Sequence, residues 1–305
     1  MGGGGLSGGA RWSRRFGRLA PHLAIWPPLL ISCGYVIVFT FWTIGVSFTR
    51  STLLPDYSWA GWRNYGAILA SRNWQIAYGN LYIYSGCFVL MTTLVGLVLA
   101  ILMDQRIRGE TVFRTIFLYP IAVSFVVTGT VWGWLFNPSF GVQKLMHDLG
   151  WNSFHFGWVI DRDMAIYAIV VAAVWHGSGF AMALFLAGLR SVDNDLMKAA
   201  QIDGAGAWRT YTRVVLPSIT PIFVSVLVIL LQFAIKTYDL VVALTAGGPG
   251  LASLLPALVV YDFMFQRGEL GRGSAAAVML LGSLAVVLLP YAAYGLWRRR
   301  AAARA

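Results

Sequence analysis

The chain alternates between long apolar runs and short polar segments. Six runs, near residues 22–48, 77–103, 113–136, 164–188, 219–244 and 273–296, are each long enough to cross about 30 Å of hydrocarbon as a helix. Backbone groups in lipid must be satisfied inside a helix or a closed barrel, so the pattern predicts an all-α membrane protein with six transmembrane helices. Pro27 and Pro28 should bend or restart the first helix. The loop 49–76 carries Tyr57, Trp59, Trp62, Tyr65 and Trp74; these fit either the water–lipid boundary or contact with an external partner. A turn at Asp104–Glu110 joins the second and third runs. A second long loop, 137–163, contains Asp148, Asp161 and Asp163.

Composition agrees: 58% of residues are hydrophobic and 11% charged, where a soluble domain carries about a quarter charged. The net charge of +11 invites a nucleic-acid reading, which the placement of the charges excludes. Six spans put both termini on one side, together with Arg11, Arg14, Arg15, Arg18, Arg106, Arg108, Arg114, Arg190, Lys198, Arg209, Arg213, Arg298, Arg299, Arg300 and Arg304. The other side holds only Arg50, Arg63, Arg72, Lys144, Arg162, Arg267 and Arg272, and Lys236 falls inside a span. Basic residues accumulate on the cytoplasmic side, so both termini are expected there. Residues 1–18 read as a disordered basic cytoplasmic tail and 19–305 as the six-helix domain. Cys33 and Cys87 fall in apolar runs and read as small apolar residues. The first run is too long for a signal-peptide core and should remain as helix 1.

The segment Asn194–Pro217 is a polar, helix-forming island between two apolar runs. Asp193 or Asn194 can cap a short helix ending near Ile202, with Leu196, Met197 and Ala200 on one face. Gly204 permits a turn with positive φ, and Asp203 is placed to cap the second helix. Trp208, Tyr211, Val214 and Val215 then recur at helical spacing, and Pro217 marks re-entry into the membrane. Such an element reads as a docking surface; an amphipathic helix lying on lipid is the plainer alternative.

Lys198-Ala199-Ala200, then Asp203-Gly204-Ala205, then Leu216-Pro217, resembles the EAA loop of binding-protein-dependent ABC transporter permeases, with the MalF-type permeases of carbohydrate importers nearest. The resemblance extends to Lys236-Thr237-Tyr238-Asp239 and to Leu244–Gly250 (LTAGGPG), and covers about residues 80–296. KAAQIDGA, ALTAGGPG and the segment from Leu255 to Leu280 look most like permeases of glucose/mannose-type importers. The resemblance implies a type I ABC importer permease fold with a cytoplasmic coupling helix, in which Leu196, Met197, Lys198, Ala199, Ala200, Asp203, Gly204 and Ala205 contact the ATPase. Lys198 stands where the family has glutamate, a charge reversal that a partner ATPase could answer with an acidic residue. By the same resemblance the sugar-lining positions fall on Trp175, His176, Gly177, Phe180, Phe233 and Thr237.

Polar residues inside spans are costly and often mark a pathway, and an aromatic face with a few hydrogen-bonding groups suits a pyranose. Plainer roles stay open: a core bond for His176, close packing for Gly177 and Gly179, packing for Phe180 and Phe233, and an i,i+3 ion pair for Lys236 with Asp239. The implied function is the permease subunit of an ATP-driven carbohydrate importer, carrying a monosaccharide such as glucose or mannose across a bacterial or archaeal inner membrane. No phosphate-binding G-x-x-x-x-G-K-[ST] motif occurs, so ATP and Mg would bind partner chains and this chain needs no cofactor, metal or catalytic residue. Implied partners are a second homologous permease, two ABC ATPase subunits and an extracytoplasmic sugar-binding protein. An ion-driven secondary transporter is the alternative, weakened by Asp239 being the one acidic residue in a span. An intramembrane enzyme would need clustered groups, and His22, His147, His155 and His176 are scattered.

Overall fold

The computed structural model describes residues 7–105 and 107–302. Among these the chain is a succession of helices, with one isolated bridge pairing Thr49 and Trp59. Helix α1 (Ser7–Ser47) runs through Pro27 and Pro28 without a second start, as spanning helices tolerate proline better than soluble ones do. The tail read as disordered over 1–18 is therefore helical from Ser7, and residues 1–6 lie outside the described ones. Extending an existing helix is far cheaper than nucleating one. Helix α2 (Arg63–Leu69) lies in the first long loop, followed by α3 (Arg72–Asp104).

The third apolar run is two helices, α4 (Glu110–Ala122) and α5 (Phe125–Phe136), bent by 98°. Pro120 occupies the last turn of α4, and Ser124 restarts the helix by accepting a hydrogen bond from Val127 N at 3.3 Å. Helix α6 (Val142–Asp148) sits in the second long loop, and α7 (Ala165–Leu189) is the fourth span. The polar island forms α8 (Asn194–Ile202), α9 (Ala207–Thr210), a wide π-type turn over Tyr211–Val215, and α10 (Leu216–Ser218).

The fifth run is also corrected. Helix α11 (Thr220–Ile235) stops at Lys236, and α12 (Asp239–Leu244) begins after Tyr238, whose φ of −130° and ψ of −63° are not helical. Helix α13 (Pro256–Tyr261) and α14 (Leu270–Ala302) complete the chain. Among the described residues four helices are long and apolar enough to cross a membrane, or six spans if each bent pair is one; the second pair joins Trp208–Ser218 to α11 at 70°.

Small residues allow close helix approach, which drives packing where lipid removes the hydrophobic incentive. A Cβ on Gly96 of α3 would stand 2.6 Å from Ala181 Cβ on α7, and one on Gly129 of α5 2.7 Å from Ala243 Cβ on α12. Gly179 of α7 presses against the Phe117 carbonyl of α4, so its packing role is met here. Tyr84, Phe185, Met182 and Leu230 are buried at the centre of this bundle. Helix α1 packs outside it, along α14, and its apolar stretch is otherwise uncovered. Thus Cys33 is exposed on α1 while Cys87 is half-buried on α3. The loop aromatics divide: Trp74 is buried, whereas Tyr57, Trp59 and Trp62 are exposed.

Candidate functional site

The two helix breaks face each other across a cavity of about 370 Å³. Helix α3 contributes Tyr84 and Phe88, the α4–α5 break contributes Val123, Ser124 and Phe125, and α7 contributes Ala173, His176 and Gly177. The far wall is Phe233 and the segment Lys236–Leu240. Irregular backbone at membrane depth is tolerated only where it is buried in protein or lines a cavity. Its free groups are answered locally: Thr237 N bonds Ala234 O at 3.2 Å, and the Thr237 hydroxyl donates to Phe233 O at 2.9 Å. That hydroxyl also meets Tyr84 Oη at 3.1 Å.

Of the residues singled out in the sequence, His176, Gly177, Phe233 and Thr237 line this cavity, and Trp175 and Phe180 do not. Ala173, His176 and Gly177 recur at i, i+3, i+4 and share one face of α7. Trp175 points elsewhere, edge-on to Trp132 at 6.0 Å, and is 41% exposed. Phe180 packs on Phe233 at 5.8 Å. His176 is both buried and part of the wall: its Nδ1 lies 3.3 Å from Thr128 Oγ1, and its ring stacks on Phe125 at 4.1 Å. A Cβ on Gly177 would meet Phe88 and Thr92 at ordinary contact distance, 3.4 Å, so space at Gly177 belongs to the cavity.

Lys236 and Asp239 do not share a helix face as their spacing suggests, because α11 ends between them. Among the described residues no ion pair joins them, and both are exposed on the cavity wall. Sequence reasoning does not reach Tyr84, Phe88, Ser124 or Phe125; the Tyr84 hydroxyl inside a span is the signal that could have found the first. The Gly-Gly-Pro segment after α12 is a fixed turn with a cis Gly248–Pro249 bond. Ser253 Oγ bonds Gly248 O at 2.7 Å, and Asn80 of α3 donates to Leu251 O and Leu254 O at 3.0 Å each.

At the other end, Asp193 caps α8 by accepting from Asp195 N at 2.9 Å. Gly204 has φ +74°, and Ala205 N reaches back to Ala200 O at 3.0 Å, closing the helix in a Schellman turn. Gly206, not Asp203, flanks α9: Thr210 N bonds Gly206 O at 3.0 Å. The face drawn through Leu196, Met197 and Ala200 divides. Ala200 is buried and Met197 packs on the bundle, while Leu196, Ala199 and Ile202 point outward, Ile202 at 85% exposure. Lys198 pairs within the helix, its Nζ 2.9 Å from Asp195 Oδ1. The helical spacing read over 208–215 is widened by the π-type turn, which leaves Trp208 exposed and Val215 buried.

Arg190, at the end of α7, ties the ends of α3, α4 and α7 together. It lies 2.8 Å from Glu110 Oε1 and 3.9 Å from Asp104 Oδ1. Asp104 also accepts from the Tyr211 hydroxyl at 3.0 Å. The loop, the end of α3 and the start of α4 thus share one polar cluster.

A family model for binding-protein-dependent transport system inner membrane components matches residues 92–302. A probable ABC transporter permease of Pyrococcus horikoshii is 38% identical over 267 residues, covering 87% of this chain and 91% of that protein. The xylose/arabinose import permease XacH of Haloferax volcanii is 34% identical over 284 residues, covering 92% and 88%. A crystal structure of a bacterial ABC transporter involved in import of the acidic polysaccharide alginate superimposes with a TM-score of 0.78 at 20% identity, covering 95% of this chain and 99% of that one.

Proposed function

The chain belongs to the binding-protein-dependent transport system inner membrane components, and from that premise we propose that it forms half of a sugar pathway driven by ATPase partners. It is a non-catalytic permease subunit, so hydrolysis of ATP belongs to other chains. The observation that carries the reading is the cavity at the two helix breaks. Aromatic faces from Tyr84, Phe88 and Phe233 accept the apolar CH face of a pyranose, and Ser124, His176, Lys236, Thr237 and Asp239 offer hydrogen bonds to its hydroxyls.

The substrate is a monosaccharide of the glucose/mannose type, on the resemblance of KAAQIDGA and ALTAGGPG to those permeases. Relatives at 29–34% identity are a xylose/arabinose permease, a trehalose/maltose permease and an sn-glycerol-3-phosphate permease, so the class of carbohydrate importer is better supported than the size of the sugar. On this reading Trp175 faces a second homologous permease that completes the path, which its exposure beside Trp132 supports. One of two ATPases docks at this loop, led by the outward face of α8, the other at the second permease, and an extracytoplasmic binding protein delivers the sugar. The charge asymmetry supports both termini and the docking loop on the cytoplasmic side.

Reconstitution of the chain with its second permease, ATPases and binding protein in proteoliposomes tests this. The expected result is monosaccharide uptake that requires internal ATP. Uptake by this chain alone under a proton or sodium gradient would replace the reading with a secondary transporter.

A further inference from the structure

The end of α1 opposite its N-terminus carries a cationic pocket of about 310 Å³, lined by Arg50, Arg63 and Arg272 with Glu269. Basic residues on that side are disfavoured, and several are neutralised: Lys144 by Asp148, Arg267 by Asp262 and Arg272 by Glu269. Arg50 and Arg63 have no ion-pair partner among the described residues, yet both line the same pocket. Asp56, in the neighbouring turn, accepts from Ser58 N at 2.9 Å, which holds its carboxyl below the usual range; Arg50 is near enough to help, as the weakest of the causes, without forming an ion pair.

The pocket floor is rigid. Asn64 donates to Ser47 O and Thr49 O at 2.8 Å each, and Gly271 N bonds Ser51 O at 2.8 Å. Exposed Trp42, Trp59 and Trp62 surround this end of the helix, as aromatics do at headgroup depth. Closer to the middle of the two helices, α1 and α14 enclose an apolar groove, lined by Val36, Phe39 and Thr43 of α1 and Ala277, Val278 and Leu281 of α14. At 1.5 Å per residue, the step from Arg272 to the groove's first residue is roughly 8 Å. A cationic pocket directly above an apolar groove matches a phosphate followed by an acyl chain.

We propose that Arg50 and Arg63, beside the Arg272–Glu269 pair, bind the phosphate of an anionic phospholipid, whose acyl chain lies in the groove between α1 and α14. Arginine suits this site because its donors form charge-assisted bonds to phosphate oxygens. The site is separate from the sugar cavity and does not depend on the transport reading.

Native mass spectrometry of the full-length chain tests it, with phosphatidylglycerol, phosphatidylcholine of the same acyl chains, and inorganic phosphate as probes. Phosphatidylglycerol should be retained over phosphatidylcholine. The double variant Arg50→Gln/Arg63→Gln should lower that retention by at least about tenfold, while Arg50→Lys/Arg63→Lys keeps most of it. Arg72→Gln, an exposed arginine outside the pocket, should change nothing. Ala277→Phe, which fills the groove, should lower lipid retention as well. Equal phosphatidylglycerol retention by wild type and the Gln double variant would overturn the site. So would displacement of the lipid by inorganic phosphate with no effect of Ala277→Phe, since the ligand would then be a free anion. Circular dichroism and size-exclusion profiles matching wild type establish that the exposed arginine variants fold.

Discussion

The Tyr211 hydroxyl donates to Asp104 Oδ2 at 3.0 Å, linking the 194–217 loop to the end of the helix that carries Tyr84 and Phe88 into the cavity. A displacement of the loop is thereby shared with α3, and through Arg190 with α4. Tyr211→Phe deletes one neutral-to-charged hydrogen bond, so stability should fall by only about 1–2 kcal/mol. Transport per ATP hydrolysed should fall more than thermal stability does, measured in the reconstituted complex. An unchanged transport-to-hydrolysis ratio would remove the link from the mechanism.

Arg190→Ala leaves Asp104 and Glu110 close to each other without their shared cation. Because all three side chains are partly exposed, a loss of about 1–2 kcal/mol is expected. A thermal unfolding midpoint indistinguishable from wild type would show that water alone satisfies the carboxylates.

Two glycines on α7 should separate packing from pathway. Gly179→Ala drives a methyl into the Phe117 carbonyl, a backbone atom that cannot turn aside, so about 2–3 kcal/mol of destabilisation and poor expression are expected. Gly177→Ala meets only side chains at 3.4 Å and should fold, with its effect confined to sugar uptake. Normal expression of Gly179→Ala would contradict the close packing of α4 on α7.

Thr237→Val keeps the volume and removes the hydroxyl shared with Tyr84 and the cavity. Substrate-stimulated ATPase activity should decline about tenfold, the scale of one lost polar contact in a site built for hydroxyls, with the unfolding midpoint within a few degrees of wild type. Full stimulation would take Thr237 off the sugar path.

Much of this was legible in the residues, for reasons that also explain the gaps. Run length alone places α1, α3, α7 and α14, because hydrocarbon thickness sets a minimum for any span. The breaks at Val123–Ser124 and Lys236–Tyr238 were not legible: apolar composition continues through the first, and at the second the polar run Lys236–Asp239 reads equally as a pathway on an unbroken helix, since a hydropathy pattern carries no information on helix direction. Lys236 and Asp239 read as a pair on one face because i,i+3 spacing does not reveal a helix end between them, and Trp175 stands beside His176 on the family resemblance, which does not say which face of α7 each takes. The Asp193 cap and the Gly204 turn were readable because each depends on local chemistry. The outward face of α8 was not, since Leu196 is the more apolar of the two and yet is half exposed while Ala200 is buried, a choice that only the bundle makes.

The outward face of α8 is the surface that would drive the transport cycle. Cysteine placed at Ile202, 85% exposed, in a chain with Cys33 and Cys87 replaced by serine, gives the most direct measurement. Co-expressed with its ATPase, that variant should crosslink to the ATPase, with the yield changing between ATP-bound and nucleotide-free states. It should also resist a membrane-impermeant maleimide added to intact cells. Labelling from the external medium, or no crosslink in a complex that still transports, would contradict the docking role of α8.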